Sequence, residues 1–210
     1  MEKQKFFSAK NIAILGVLLA LVIVLQAFGG SISIGTVQLN FTLIPIVLGA
    51  LILGPWAGAF LGFACGVVIL IQVILTPGGF NYFIWSYNPI ITTITCLTKT
   101  TAGGLLAGFL FQWIQKRNRL VAVFVASGIV PIVNTGLFLV GALLMNEGIA
   151  ATQEWLISEY GKTEFLGMSP IVFILVGIIT FNFFIEFAIN LILAPGRHTV
   201  YKVAEKRIQK

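Results

Sequence analysis

The sequence predicts an all-α integral membrane protein with six transmembrane helices. Of its 210 residues, 58% are hydrophobic and 10% are charged, whereas a soluble domain carries about 25% charged residues. Apolar segments of about 20 residues, long enough to cross the hydrocarbon core as helices, recur along the chain. Most cations lie near the two chain ends and in one short loop. We therefore interpret residues 1–210 as one membrane domain.

The first predicted helix follows three lysines, an arrangement that also begins a signal peptide. Its apolar run lasts about 20 residues and lacks a clear cleavage site, which favours a transmembrane helix. Ala13, Gly16 and Ala20 give this helix a surface of small residues. Such a surface lets a second membrane helix approach closely.

Turn and charge signals separate the remaining helices. Gly54-Pro55 predicts a tight turn, Pro77-Gly78-Gly79 opens an aromatic loop, and the polar segment 146–169 precedes the last helix. Pro131 lies inside the fifth helix. The six predicted helices cover residues 11–30, 41–54, 56–76, 89–113, 120–145 and 170–194.

Charge placement predicts the side of the membrane that each loop faces. Three cations precede the first helix, three lie in the loop after the fourth, and five lie near the C-terminus. The positive-inside rule makes these cytoplasmic, with both termini inside. We expect a multi-pass protein of a bacterial cell membrane that collects a solute outside. Its predicted outer loops are 31–40, 77–88 and 146–169.

Several function classes lack their sequence signatures. The chain has no GxxxxGK[ST] phosphate loop, and no GxSxG or HExxH motif. Cys65 and Cys96 lie in apolar segments without CxxC spacing, which favours buried packing over a disulfide or metal pair. His198, the single histidine, lies in a basic tail. We therefore predict neither an enzyme nor a nucleic-acid-binding protein, and no cofactor in this chain.

Lys99 lies inside the fourth predicted helix. A cation near mid-membrane costs roughly 2.5–3.5 kcal/mol on insertion scales, so it needs a partner. One interpretation is a counter-ion for a bound anion, and the alternatives are a structural ion pair or snorkelling to the interface. Neighbouring threonines would help to bind an anion: Thr92, Thr93, Thr95, Thr98, Thr100 and Thr101.

Further polar residues lie inside the last two predicted helices. Glu186 has Asn182 and Asn190 four residues to either side, so the three share one helix face. Asn134 follows Pro131, which frees backbone carbonyls. These residues either line a cavity or bond neighbouring helices. The helix rise places Glu186 about 9 Å deeper than Lys99, which strains a direct bridge between them.

The aromatic loop has two interpretations. Tyr82 and Trp85 in this loop form either part of an interfacial belt or a lid that stacks on a solute.

The chain resembles a family of transport proteins. Its six helices and the stretch LIPIVLGALILGPWAGAFLGFACGV at Leu43–Val67 are similar to the substrate-binding S components of energy-coupling-factor (ECF) vitamin transporters. The Gly54-Pro55 turn followed by Gly58 and Gly62 is the most specific part of this resemblance, which covers nearly the whole chain. It implies a helical bundle like that of an S component.

The resemblance also implies partners. An S component holds its vitamin between the outer loops and the last three helices, and small residues of its first helix contact a membrane coupling subunit that works with two ATPase subunits. This implies Ala13, Gly16 and Ala20 as the docking surface, with Gly16 standing where the family's Ala-xxx-Ala pair has its first alanine. ATP is then used by the partner subunits.

The buried charge of Lys99 and a sequence similarity narrow the choice of substrate. The stretch VQLNFTLIPIVLGALILGP is most similar to pantothenate-type members, and one buried cation matches one carboxylate. Riboflavin and folate S components are the alternatives, followed by an intramembrane enzyme or a structural subunit. The residues predicted to bind the vitamin are Asn40, Tyr82, Trp85, Asn88, Thr95, Lys99, Asn134, Asn182 and Glu186.

Overall fold

The chain forms a bundle of apolar helices. The computed structural model describes residues 8–29, 33–34, 37–38, 41–75 and 80–208. Within this part, five helices are long and apolar enough to cross a membrane, and α2 is a shorter apolar helix, which confirms the predicted all-α membrane fold. In chain order the elements are α1 (Ala9–Gly29), β1 (Ser33–Ile34), β2 (Val37–Gln38), α2 (Leu43–Leu53), α3 (Pro55–Leu75), α4 (Phe80–Tyr87), α5 (Pro89–Ile114), α6 (Arg119–Leu143), α7 (Asn146–Tyr160), a 3₁₀ turn (Thr163–Phe165), α8 (Pro170–Val172), a π-helical segment (Phe173–Ile179), α9 (Thr180–Ile192) and α10 (Ala194–Ile208).

The junction between α2 and α3 is a single residue. Gly54 has φ +100°, a backbone conformation that side chains rarely adopt, and it ends α2. Pro55 then begins α3, where its fixed φ suits the first helical position and its missing N–H leaves no bond unmade.

Glycines on one face of α3 bring it against α5. Gly58, Gly62 and Gly66 recur every four residues, and a Cβ at any of them would overlap the backbone of α5. At Gly62 the overlap would be with the Thr100 carbonyl. The Thr100 hydroxyl donates a hydrogen bond of 2.6 Å to the Gly62 carbonyl. These contacts fix the rotation of α5 and thus the direction in which its polar residues point.

Two predicted outer loops are helices. The segment predicted as an aromatic loop contains α4, and the polar segment 146–169 contains α7, which ends at Gly161 with φ +61°. Aromatic packing between them explains why both segments are ordered: the Phe83 and Trp155 rings stack with centroids 5.4 Å apart. Gly148 of α7 lies directly against the Tyr87 ring. Together, α4 and α7 cover one end of the bundle.

The last span, Pro170–Ile192, is not a regular α-helix. Ser169 caps its start by accepting a bond from the Val172 amide. The π-helical segment follows at once, and the Thr180 hydroxyl donates to the Leu175 carbonyl at its end. This span therefore changes its helical twist before it reaches Glu186.

Helix α10 packs across the end of the bundle opposite α4 and α7. The Tyr201 ring meets the Phe111 ring edge-on with centroids 5.0 Å apart. Arg119 and Glu205 form an ion pair of 2.8 Å. Arg197 is buried and donates to the Asn190 backbone carbonyl at 2.9 Å and to its side-chain oxygen at 2.7 Å. Burial lowers the pKa of Arg197 to about 10, so its guanidinium stays charged at neutral pH.

Helix α1 lies at the outside of the bundle. It turns Leu18 and Val22 inward, whereas Ala13, Gly16 and Ala20 are exposed. A Cβ built on Gly16 meets nothing within 4 Å. The small-residue surface of this helix is therefore open to a neighbour in the membrane.

Candidate functional site

A cavity lies beneath the cover formed by α4 and α7, and its empty space, with the part open to solvent included, is about 450 Å³. Five helices contribute to its wall: α3, α4, α5, α6 and α7. The lining residues are Ile69, Val73, Ile84, Thr92, Thr95, Cys96, Lys99, Phe138, Ala142, Met145 and Ile149. Its wall is apolar apart from two threonines and one lysine, and it contains no acidic residue among those that the structure describes.

Lys99 is the cation of this cavity. Its Nζ lies 5.4 Å from the centroid of the Phe138 ring, close enough for a cation–π contact. No ion pair joins Lys99 to Glu186 in the part of the chain that is described. An aromatic ring attracts a cation without neutralising it, so the charge of Lys99 remains available to an anion.

Thr95 lies one helical turn before Lys99, on the same face of α5. Its hydroxyl lies against Gly141 of α6, where an added Cβ would overlap it. Lys99 and Thr95 both line the cavity, so its wall carries an ammonium and a hydroxyl on one face of α5.

Most of the other threonines are already bonded within the protein. Thr92, Thr98 and Thr101 each donate to the carbonyl four residues earlier, at distances of 2.5 to 2.8 Å. Thr100 is bonded to α3, as described above. The expectation that the whole threonine-rich stretch assists an anion is therefore too broad, since threonine favours such local bonds inside helices.

The polar residues of α6 and α9 lie apart from this cavity. Asn134 and Asn182 do not line it, and the side-chain oxygen of each is buried without a hydrogen-bond partner among the described residues. Glu186 is buried at 3% exposure and also lies outside the lining. Asn190 donates to the Glu186 backbone carbonyl at 2.8 Å and, as noted, binds Arg197. Asn190 therefore forms hydrogen bonds within and between helices and does not line the cavity.

The predicted residues near α4 have different surroundings. The side-chain oxygen of Asn88 accepts a 3.1 Å bond from the Ile91 amide and so caps α5. Tyr82 and Trp85 pack against one another with centroids 6.1 Å apart, but it is Ile84 that lines the cavity. Asn40 lies outside the described residues, so its predicted role stays a prediction.

Phe138 and Met145 are cavity residues that sequence reasoning missed. Both are apolar residues in or beside a long apolar helix, so composition gives no reason to single them out. A usable signal was the spacing of Phe138, four residues after Asn134 on the same face of α6. What places Phe138 opposite Lys99 is the packing of α6 on α5, which only the folded structure shows.

Comparison with known proteins assigns the family. A family model described as "ECF transporter, substrate-specific component" matches residues 10–196. The chain belongs to this family. No curated protein matches the chain. As an ECF S component, it is a membrane-embedded, substrate-specific subunit of a transporter, and such subunits work with a membrane coupling subunit and ATPases. The cavity around Lys99 lies wholly within the matched residues.

Proposed function

We propose that this S component captures pantothenate outside the cell and delivers it inward with an ATP-driven energy-coupling module. The observation that carries the choice of substrate is that one cation, Lys99, and two threonines, Thr92 and Thr95, line an otherwise apolar cavity with no acid among its described lining residues. Such a wall selects a small solute with a single negative charge.

The three candidate vitamins differ in their number of carboxylates and in the size of their ring systems. Pantothenate has one carboxylate together with hydroxyls and an amide, folate has two carboxylates and a large pterin, and riboflavin has a large flat ring without a carboxylate. A buried charge is tolerated only when it is paired, so one lysine matches one carboxylate.

The position of the cover formed by α4 and α7 indicates the side from which the solute enters the cavity. Three residues close the cavity from the end that carries the predicted outer segments: Ile84 of α4, Met145 just before α7 and Ile149 of α7. The basic turn between α5 and α6 and the basic helix α10 lie at the opposite end. Under the positive-inside rule the cover faces outward and both termini are cytoplasmic.

Helix α1 is the proposed docking surface for the coupling subunit. Ala13, Gly16 and Ala20 are all exposed, and a Cβ built on Gly16 meets no described residue within 4 Å. Close approach of two membrane helices depends on small residues at the contact, because lipid supplies no hydrophobic force between them.

Ligand binding by the purified chain tests this proposal. Native mass spectrometry followed by titration calorimetry with pantothenate, riboflavin and folate should show one bound pantothenate and no heat with the other two. A thermal melt run in parallel controls for folding. Tight binding of riboflavin or folate would replace the proposed substrate, and a folded chain that binds none of the three would refute the assignment.

A further inference from the structure

A cluster of hydrogen-bonded amides joins α1 to the rest of the bundle inside the apolar region. The Gln26 side chain donates to the Gln72 side-chain oxygen at 2.9 Å, and Gln72 donates back to the Gln26 backbone carbonyl at 3.0 Å. Thr42 donates to the Gln26 side-chain oxygen at 3.4 Å and also contacts the Cys65 sulfur. Gln26 of α1 is thereby bonded to α3 and to the start of α2.

These bonds matter because most of α1 faces away from the bundle. Of the five candidate spans, α1 buries the smallest share of its residues. Leu18 and Val22 are its fully inward residues, and Gln26 lies one turn further along the same face. Three partly buried residues also pack against the core: Ile14, Leu15 and Leu19. Apolar side chains slide past one another easily in lipid, whereas a two-bond amide pair permits one rotation and one depth.

The partner of Gln26 lies on a cavity helix. Gln72 lies in the same turn of α3 as Ile69 and Val73, which both line the cavity around Lys99. The opposite end of the connection is α1, whose Gly16 and Ala20 face outward. One hydrogen-bonded pair thus joins the helix that holds the solute to the helix that is exposed for docking.

We propose that Gln26 and Gln72 are positioning residues that set the rotation and depth of the docking helix relative to the cavity. This inference rests on the proposed docking role of α1. The pair fixes which face of α1 meets the coupling subunit, and it ties that face to the cavity wall. Neither glutamine touches the solute.

Leucine substitutions separate positioning from stability. Gln26→Leu leaves the Gln72 side-chain oxygen without its donor, and Gln72→Leu leaves the Gln26 side-chain NH₂ without its acceptor, so each single variant should melt at a lower temperature than the wild type. The double variant replaces both partners with apolar groups and should recover the melting temperature. It should still lose the fixed position of α1, because two leucines set no register. Gln112→Leu, on the exposed face of α5, is the matched control.

The position of α1 is measured on the isolated chain by the distance between spin labels at Ala13→Cys and Phe109→Cys. Both positions are exposed, whereas the native thiols Cys65 and Cys96 are buried and should not be labelled. The double variant should at least double the width of the distance distribution. Without labels, it should bind the coupling module about tenfold more weakly, the size of effect expected for interhelical bonds in membranes.

The two measurements fail in distinguishable ways. A double variant with the wild-type distance distribution would overturn the positioning role, whatever its affinity for the module. A broadened distribution with wild-type affinity would leave the positioning role standing and would refute docking through α1. A control variant that behaves like the double variant would assign the effect to loss of amides in general and would also overturn the positioning role.

Discussion

Replacing Lys99 tests the counter-ion role most directly. In Lys99→Met a side chain of similar length fills the apolar wall without a charge. Removing the charge relieves an insertion cost of roughly 2.5–3.5 kcal/mol, while the lost contact with Phe138 is worth about 0.5–2 kcal/mol. The first number is the larger, so the variant should fold and melt at or above the wild-type temperature.

Binding should change in the opposite direction. A carboxylate that enters the cavity of Lys99→Met finds the Thr95 hydroxyl but no cation. Losing one member of a buried charge pair costs about 2–5 kcal/mol, which corresponds to roughly 30-fold to several-thousand-fold weaker binding. Lys99→Arg keeps the charge but has a planar group of another shape, so it should restore affinity only in part.

Titration calorimetry with two ligands separates the contribution of the ligand's carboxylate charge to binding from that of its other groups. Pantothenate carries the carboxylate, and its alcohol analogue pantothenol has a neutral hydroxymethyl group in that place. Lys99→Met should lose affinity for pantothenate and keep its affinity for pantothenol. Lys162→Met, which removes a partly exposed cation paired with Glu164 at 3.5 Å, is the matched control. Equal losses for both ligands, or an unchanged affinity for pantothenate, would refute the counter-ion role.

Three further outcomes are expected. The double variant Gly16→Leu with Ala20→Leu should abolish uptake by cells while the isolated chain keeps its ligand affinity, because bulk on α1 blocks docking but lies away from the cavity; normal uptake would place the docking surface elsewhere. Gly62→Ala should destabilise the fold by about 1–3 kcal/mol in thermal or denaturant unfolding, since its Cβ overlaps the Thr100 backbone; a wild-type melting temperature would contradict the close approach of α3 and α5. A cysteine placed at Arg117 should resist an impermeant thiol reagent added to intact cells, and labelling there would reverse the proposed topology.

The long helices of this protein are predictable from the sequence, and its short ones are not. A continuous apolar run predicts a membrane helix, which is why α3 and α5 begin and end within one or two residues of their predicted bounds. Helix α4 has eight residues rich in aromatic side chains, a composition typical of interfacial loops as well. Its helical form depends on the stack of Phe83 on Trp155, a contact with a distant part of the chain.

Some residues of the candidate site are likewise predictable from the sequence, and others are not. Lys99 stands out in the sequence because a charge in an apolar helix is costly, and Thr95 follows from the helical repeat. Asn134 and Asn182 have the same kind of sequence signal, yet they lie outside the cavity. Burial of a polar residue is visible in a sequence, but the direction in which it points is set by how the helices rotate against one another. That rotation depends on contacts between helices, such as Gly62 with Thr100. The amino-acid composition does not predict which residues make these contacts.

The π-helical segment in the last span has a consequence for how this sequence tolerates insertions and deletions. Ile174 and Asn190 are both buried, at 2% and 1% exposure, although in a regular α-helix residues sixteen apart point about 160° away from each other. The wider π turn rotates less per residue and brings the two positions to one side. Deleting one residue between 173 and 179 and restoring a regular helix would leave these two positions fifteen residues, or about 60°, apart, so Glu186 and Asn190 would keep their side of the span. The π-helical segment therefore accommodates one extra residue without turning the buried face of the last span away from the bundle.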